Sequence, residues 1–236
     1  RDALEAAMED GSNVLIPAFT IGRTQEILFW LGKFYREGKL KQQKVFLDSP
    51  MAIAASNIYF KHLHLFNDDD SRAFRETIKR GWNEWLPPLH YTPSTEESMQ
   101  INTITGGALI IAGSGMCTGG RIRHHFKHRI WNEKNTVLII GFQAYGTLGR
   151  RLVDGEKSYR MFGDEFIVRA RIETLGGFSA HAGQSELIEW ATQFKDNPRL
   201  VLVHGEATAL EALSLKLWED HKIRCTVPAL GECINF

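Results

Sequence analysis

Four short apolar runs constrain the fold of this chain more than any other feature: Val14 to Phe19, Lys44 to Leu47, Ala108 to Ala112 and Val137 to Ile140. Hydrophobicity that is continuous rather than alternating over so few residues reads as strands buried on both faces, the condition of strands in a parallel sheet. The segments between them carry the longer helical period. Thr24 to Tyr35 sets Ile27, Leu28, Leu31 and Phe34 at helical spacing, and Asp48-Ser49-Pro50 has the form of a helix start with proline in the first turn. Strand, helix and strand within about 35 residues make a βαβ unit, whose crossover is right-handed and whose strands run parallel. The expected fold class is therefore α/β, a mostly parallel sheet flanked by helices.

The remaining segments extend this pattern. Asp2 to Glu9 reads as a helix, Thr92-Pro93-Ser94-Thr95-Glu96-Glu97 as a capped helix start, and Arg121 to Trp131 as a helix between the third and fourth strands. Asn67-Asp68-Asp69-Asp70-Ser71 reads as a polar loop or cap, and the segment holding Trp82, Trp85, Pro87 and Pro88 has no legible assignment. After Arg150-Arg151 the character changes. Phe166 to Glu173 alternates apolar and polar as a half-exposed strand does, so a domain boundary is expected near Asp164, dividing residues 1–164 from 165–236. Beyond it come a helix from Gln184 to Phe194, a strand from Leu200 to Val203, and two closing strands, Cys225 to Leu230 and Cys233 to Phe236.

At 236 residues and 43% hydrophobic the chain can bury a sizeable core. No run approaches the ~18 apolar residues a membrane span needs, so no membrane partner is expected. Lys plus Arg and Asp plus Glu are 28 each, so a phosphate-binding surface must be local rather than global. Three cysteines with no C-x-x-C pair argue against a disulfide framework and for a reducing, cytoplasmic setting.

Several residues have the pattern of sites. Leu200 to Val203 runs into His204 and then Gly205, which places an imidazole at a strand end, and His181 stands at the mouth of the preceding helix. By spacing alone each could be a solvated histidine or part of a site. Gly113-Ser114-Gly115-Met116-Cys117-Thr118-Gly119-Gly120, between a strand and a helix, is a loose variant of a dinucleotide fingerprint; the next strand ends in Ile140-Gly141-Phe142-Gln143 without the carboxylate that holds a ribose. Phosphate contact is retained from that loop and NAD is not. The helix after it carries Arg121, Arg123, His124, His125, Lys127, His128 and Arg129, either a solvated basic face or a surface that steers a phosphodiester chain. Arg23 and the Gly146-Thr147 turn are further candidates for holding phosphates at strand ends.

The wording of five ordered stretches resembles the β-CASP branch of the metallo-β-lactamase superfamily. They are Leu15 to Phe19 with Gly22-Arg23-Thr24-Gln25-Glu26, Gly113 to Met116, Gly141 to Leu148, Phe178-Ser179-Ala180-His181, and Leu202-Val203-His204-Gly205-Glu206. The resemblance covers nearly the whole chain. It implies a β-CASP domain capping an active site, followed by the returning C-terminal part of a metallo-β-lactamase αββα sandwich. It further implies a zinc-dependent ribonuclease acting on single-stranded RNA, with His204 as a zinc ligand and His181 as the residue that protonates the leaving oxygen or binds the scissile phosphate. Arg23, Ser114, Gly115, Gly146, Thr147 and Ser179 would bind substrate.

The family's His-x-His-x-Asp-His motif is absent from the chain. On the resemblance, the chain is the C-terminal part of a longer enzyme in which two zinc ions are expected. His204 alone would hold metal weakly, and the isolated chain would be inactive. RNA and the N-terminal metallo-β-lactamase segment are the implied partners, with a homodimer left open. A His at position 204, where DNA-acting relatives usually carry a non-ligand such as Val, favours RNA; Gly183 departs from the Asp that many members carry. Two other readings are a non-catalytic RNA-binding subunit of the same fold, against which both histidines count, and a nucleotide-dependent α/β oxidoreductase or transferase.

Overall fold

A computed structural model describes residues 12–66, 68–177, 181–196 and 198–235. The chain divides into two compact units, Arg1–Phe178 and Ser179–Phe236. The helix expected from Asp2 to Glu9 lies outside the described residues.

The first unit is built on six strands: β1 (Val14–Pro17), β2 (Lys44–Asp48), β3 (Leu89–Tyr91), β4 (Ala108–Ala112), β5 (Thr136–Ile139) and, after a two-stranded hairpin, β8 (Arg171–Thr174). Their spatial order is β3-β2-β4-β1-β5-β8, and every neighbouring pair is parallel. Successive side chains of a strand point to opposite faces, and the packing follows that rule. Val14, Ile16, Val45, Leu47, Leu109, Ile111 and Leu138 join Ile27, Leu28 and Leu31 of α1 (Arg23–Arg36) in one core. Leu15, Val137 and Ile139 turn the other way, onto Ile122 and Phe126 of a helix over Ile122–Arg129. Helices on both faces are why these strands read as unbroken apolar runs.

On the α1 side lie α2 (Pro50–Lys61), α3 (Asp68–Thr77) and α4 (Trp82–Trp85). Ser49 caps α2, its hydroxyl accepting the Ala52 N–H at 3.3 Å with Pro50 in the first turn. The stretch that was illegible in sequence proves to be core: Trp82 is fully buried and donates its indole N–H to Ser56 O at 2.9 Å, and Trp85 donates to Phe29 O at 2.8 Å. A four-residue helix is too short to display a period, which is why spacing could not show it. α5 (Thr95–Gln100) starts at a reciprocal capping box, Ser94 Oγ accepting the Glu97 N–H and Glu97 accepting the Ser94 N–H. The helix over Ile122–Arg129 is α6, and α7 spans Leu148–Val153.

Phe166 to Glu173 is not one strand. The antiparallel hairpin of β6 (Ser158–Met161) and β7 (Asp164–Ile167) ends at Ile167, the backbone turns through Val168 to Ala170, and β8 then pairs with β5. The break is held where Arg169 and Ala170 both donate their N–H to Ile130 O. β8 belongs to the parallel sheet and is counted in the compact first unit.

In the second unit α8 (Gln184–Thr192) precedes β9 (Leu200–Val201), α9 (Ala207–His221) and β10 (Cys225–Thr226), with β9 and β10 paired in parallel. Both strands are two residues long and half-buried, shorter than the sequence suggested, and residues 233–235 form no strand. α9, which no sequence signal singled out, ends on Lys222 in the left-handed conformation. No helix among the described residues is long and apolar enough to cross a membrane.

Candidate functional site

A parallel sheet delivers the C-terminal end of every strand to one edge, so the loops after the neighbouring strands β4, β1 and β5 must meet there. The loop after β1 is tied from within. Thr24 Oγ1 donates to Phe19 O at 2.7 Å, while Gln25 Nε2 donates to Thr20 O at 3.1 Å and to Ser56 Oγ at 2.9 Å. Both side chains are buried, which leaves Arg23 at the mouth of α1, paired with Glu26 at 2.7 Å. After β4, Ser114 Oγ accepts the Gly119 N–H at 3.1 Å and closes its turn. Gly115 lies so close to Phe19 that a Cβ on it would stand 2.6 Å from the ring.

After β5, Gln143 turns inward, donating to Gly115 O at 2.9 Å, and the Gly149 N–H donates to Met116 O at 3.1 Å. Thr147 caps α7, accepting the Arg150 N–H and donating to Ala144 O at 2.7 Å. Arg23, Ser114, Gly115, Gly146 and Thr147 thus all lie in or just after loops at this one edge. The Ser114 and Thr147 hydroxyls and N–H groups already hold their own loops and Gly115 is buried, so what this edge offers an anion is mainly the Arg23 guanidinium and the exposed Gly146 turn.

One residue of this edge was missed. Asp48, the last residue of β2, is fully buried and receives four donors: Arg121 Nη1 at 2.8 Å and Thr92 Oγ1 at 2.8 Å on Oδ1, and Ser98 Oγ at 2.7 Å and His125 Nε2 at 2.6 Å on Oδ2. Burial alone would raise its pKa, but the bonds from His125, Ser98 and Thr92 outweigh it and hold the carboxyl at about 2. Burial pushes the His125 pKa down despite the carboxylate. His125 is therefore neutral near pH 7, with Nε2–H donating. In the sequence Asp48 shows only as an acidic residue between a buried strand and a helix start, a local pattern that does not reveal its distant partners.

The basic run resolves into two faces. Arg121 bonds Asp48, Thr92 O and Pro93 O, His125 bonds Asp48, and Arg129 reaches Ile101 O and Asn102 Oδ1. Those three are internal ties. Arg123, His124, Lys127 and His128 point outward.

His181 and His204 both lie in the second unit and both are exposed; Ser179 lies outside the described residues. His204 follows β9 with φ 66°, a left-handed backbone that is uncommon for any residue but glycine. A zinc site takes at least three protein ligands, and among the described residues no cluster of three His, Cys, Asp or Glu could hold a metal. His204 fits as one donor of a larger set, not as a site by itself. Cys117 offers no alternative chemistry, because burial pushes its thiol up to about 12.

Residues 24–152 match the family model described as a Beta-Casp domain. Residues 166–228 match that described as a Zn-dependent metallo-hydrolase RNA specificity domain. Among curated proteins, the chain is similar to a ribonuclease of Thermus thermophilus, 39% identical over 214 residues that cover 90% of this chain and 47% of that protein. An RNase J-like protein of Methanocaldococcus jannaschii is 28% identical over 230 residues, 98% of this chain and 52% of that protein. A transcription termination factor of Pyrococcus horikoshii is 33% identical over 215 residues, 87% and 32% respectively. The chain spans about half or less of the length of these relatives.

Proposed function

The chain belongs to the β-CASP family, and from that premise we propose that it is the substrate-capping domain and C-terminal segment of a zinc-dependent ribonuclease that hydrolyses phosphodiester bonds of single-stranded RNA. The observation that carries this reading is the edge itself. Loops after three adjacent parallel strands place Arg23, the Ser114-Gly115 turn and the Gly146-Thr147 turn together, a surface suited to an anionic backbone. The relatives named as ribonucleases, and the RNA specificity segment matched at residues 166–228, support RNA as the polymer.

In this proposal residues 1–164 form the cap, and residues 165–236, which first complete its parallel sheet with β8, return to a metallo-β-lactamase domain whose other segments lie outside this chain. His204, as a neutral imidazole with its second nitrogen held by a hydrogen bond, contributes one zinc ligand. Bound zinc supplies hydroxide near neutral pH and an electrophile for the phosphoryl oxygens, two ions being the complement proposed. Arg23, the two glycine turns and Ser179 are the proposed substrate-binding residues, and His181 delivers a proton to the leaving oxygen. A reducing, cytoplasmic setting and a homodimer belong to the same proposal.

The test is a metal assay beside an RNA cleavage gel. Joined to a metallo-β-lactamase segment that carries the His-x-His-x-Asp-His motif, the chain should give metal-dependent cleavage of single-stranded RNA. His204→Ala and His181→Ala should each lower it by at least about 100-fold. The 236-residue chain alone should bind zinc weakly and cut nothing. Tight stoichiometric zinc in the isolated chain, or cleavage that survives both substitutions, would overturn the assignment.

A further inference from the structure

The outward face of α6 is unlike the rest of the surface. Arg123 and Lys127 stand at i and i+4 on α6, His124 and His128 lie alongside at the same spacing, and Trp131 follows two residues beyond the helix, so the five make one stripe along the sequence. No acidic residue occurs between Arg121 and Trp131. Three basic neighbours that could have diluted the pattern, Arg121, His125 and Arg129, are turned inward and consumed by Asp48, Thr92, Pro93, Ile101 and Asn102. The outward cations have no ion pair among the described residues. Desolvation, and after it the neighbouring charges of Arg129 and Lys127, lower the His128 pKa.

Each end of the stripe carries an aromatic ring that a folded core would ordinarily take. Trp131, just past the end of α6, is 54% exposed. At the other end Phe162, in the turn between β6 and β7, is 46% exposed and sits at φ 54°. The Arg123 guanidinium lies 4.6 Å over its ring, and the His124 ring stacks at 4.9 Å and 24°. A guanidinium laid on an aromatic face keeps its N–H donors in plane and pointing outward, so Phe162 fixes Arg123 in position without using its hydrogen bonds. The acidic Glu165 of the same hairpin is occupied, opposite Arg160 across the strands and accepting from Ser158 at 2.8 Å.

From this arrangement we propose that the outward face of α6, from Phe162 to Trp131, is a second binding surface for single-stranded RNA. Arg123 and Lys127 contact phosphates and the exposed Trp131 ring stacks on a base. Cations for the backbone interleaved with an aromatic for the bases is the chemistry that grips a single strand without reading its sequence. α6 begins at the Gly113–Gly120 turn on the carboxyl edge and runs back toward the start of β5, where Asn135 Nδ2 bonds Arg129 O. RNA on this face would therefore lead away from the phosphate-holding edge, extending the substrate beyond the point of cleavage. The inference rests on the ribonuclease reading for its substrate, and it differs from that reading in predicting dependence on RNA length.

The experiment uses the whole nuclease, with its metal-bearing segment, and follows both binding and cleavage of a long unstructured RNA and of one only a few nucleotides long. Arg123→Gln with Lys127→Gln should raise KM and Kd for the long RNA roughly ten-fold and flatten log Kd against log salt by about 1.4, at ~0.7 per lost phosphate contact. The effect on the short RNA should be distinctly smaller. Trp131→Ala should weaken long-RNA binding about ten-fold and Trp131→Phe should restore most of it, which a purely structural tryptophan would not show. All these side chains are on the surface, and unchanged melting temperatures would exclude misfolding.

Equal KM, Kd and salt slope in parent and double variant would overturn the second surface while leaving the nuclease intact. A parent that binds RNA through this face but cuts none would keep the surface and remove the nuclease. Competition by polyglutamate at equal charge, with no effect of Trp131→Ala on RNA, would assign the face to an acidic protein instead and overturn the proposal.

Discussion

Replacing Asp48 by asparagine should be the most informative single change in the first unit. The carboxylate is fully buried and is the common acceptor for Arg121, His125, Thr92 and Ser98, so it joins the end of β2, the segment after β3, α5 and α6. An asparagine side chain there would keep one acceptor oxygen, but its amide nitrogen would face the donors of Ser98 and His125, and Arg121 would lose its counter-charge. Breaking a buried ion pair costs about 3–5 kcal/mol; because the Arg121 side chain is 22% exposed and keeps two carbonyl partners, the low end, about 3 kcal/mol, is expected. At ~2–4 °C per kcal/mol for a unit of this size, the melting temperature should fall by about 6–12 °C.

The pH dependence adds a signature. A carboxyl at about 2 in the fold rather than 3.8 contributes about 2 kcal/mol, present in full above pH ~4 and lost as pH falls through 2. The burial-depressed His125 gives acid destabilisation of the same sign in both proteins, so the diagnostic quantity is the gap between them. Urea unfolding at pH 7 and near pH 3 should show that gap narrowing with acid. A loss below about 1 kcal/mol at pH 7, or a gap independent of pH, would refute the network as the tie between these elements.

Two further outcomes follow from the edge loops. Gly120 sits at φ +71° with Gly113 O only 2.3 Å from where a Cβ would lie, so Gly120→Ala must shift backbone and should cost about 2–4 kcal/mol by chemical denaturation. Thr147→Ala removes the cap of α7 and should cost about 1 kcal/mol, while Thr147→Ser, which keeps the hydroxyl, should cost almost nothing; equal losses in the two would show that the methyl group and not the cap matters.

The apolar runs at Val14, Lys44, Ala108 and Val137 determined a parallel α/β sheet by themselves, because only burial on both faces tolerates continuous hydrophobicity. Local chemistry also sufficed for the starts of α2 and α5, where Ser49-Pro50 and the Ser94–Glu97 box act within one helical turn. It did not suffice where the partner is distant. Asp48 reads as an ordinary helix-start residue until folding brings Thr92, Ser98, Arg121 and His125 to it across 44 to 77 residues of chain. The seven basic residues at 121–129 look alike along the chain, yet the tertiary structure sends three inward and leaves four on the outer face, because helical rotation separates their side chains by about 100° per residue and only one face meets Asp48 and residues 92–102. The break in Phe166 to Glu173 was likewise decided from outside the segment, by the Ile130 carbonyl that holds Arg169 and Ala170 and turns β8 onto β5. Periodicity records which face of an element is buried, whereas which side chain ends up against which partner is set only when distant segments are packed together.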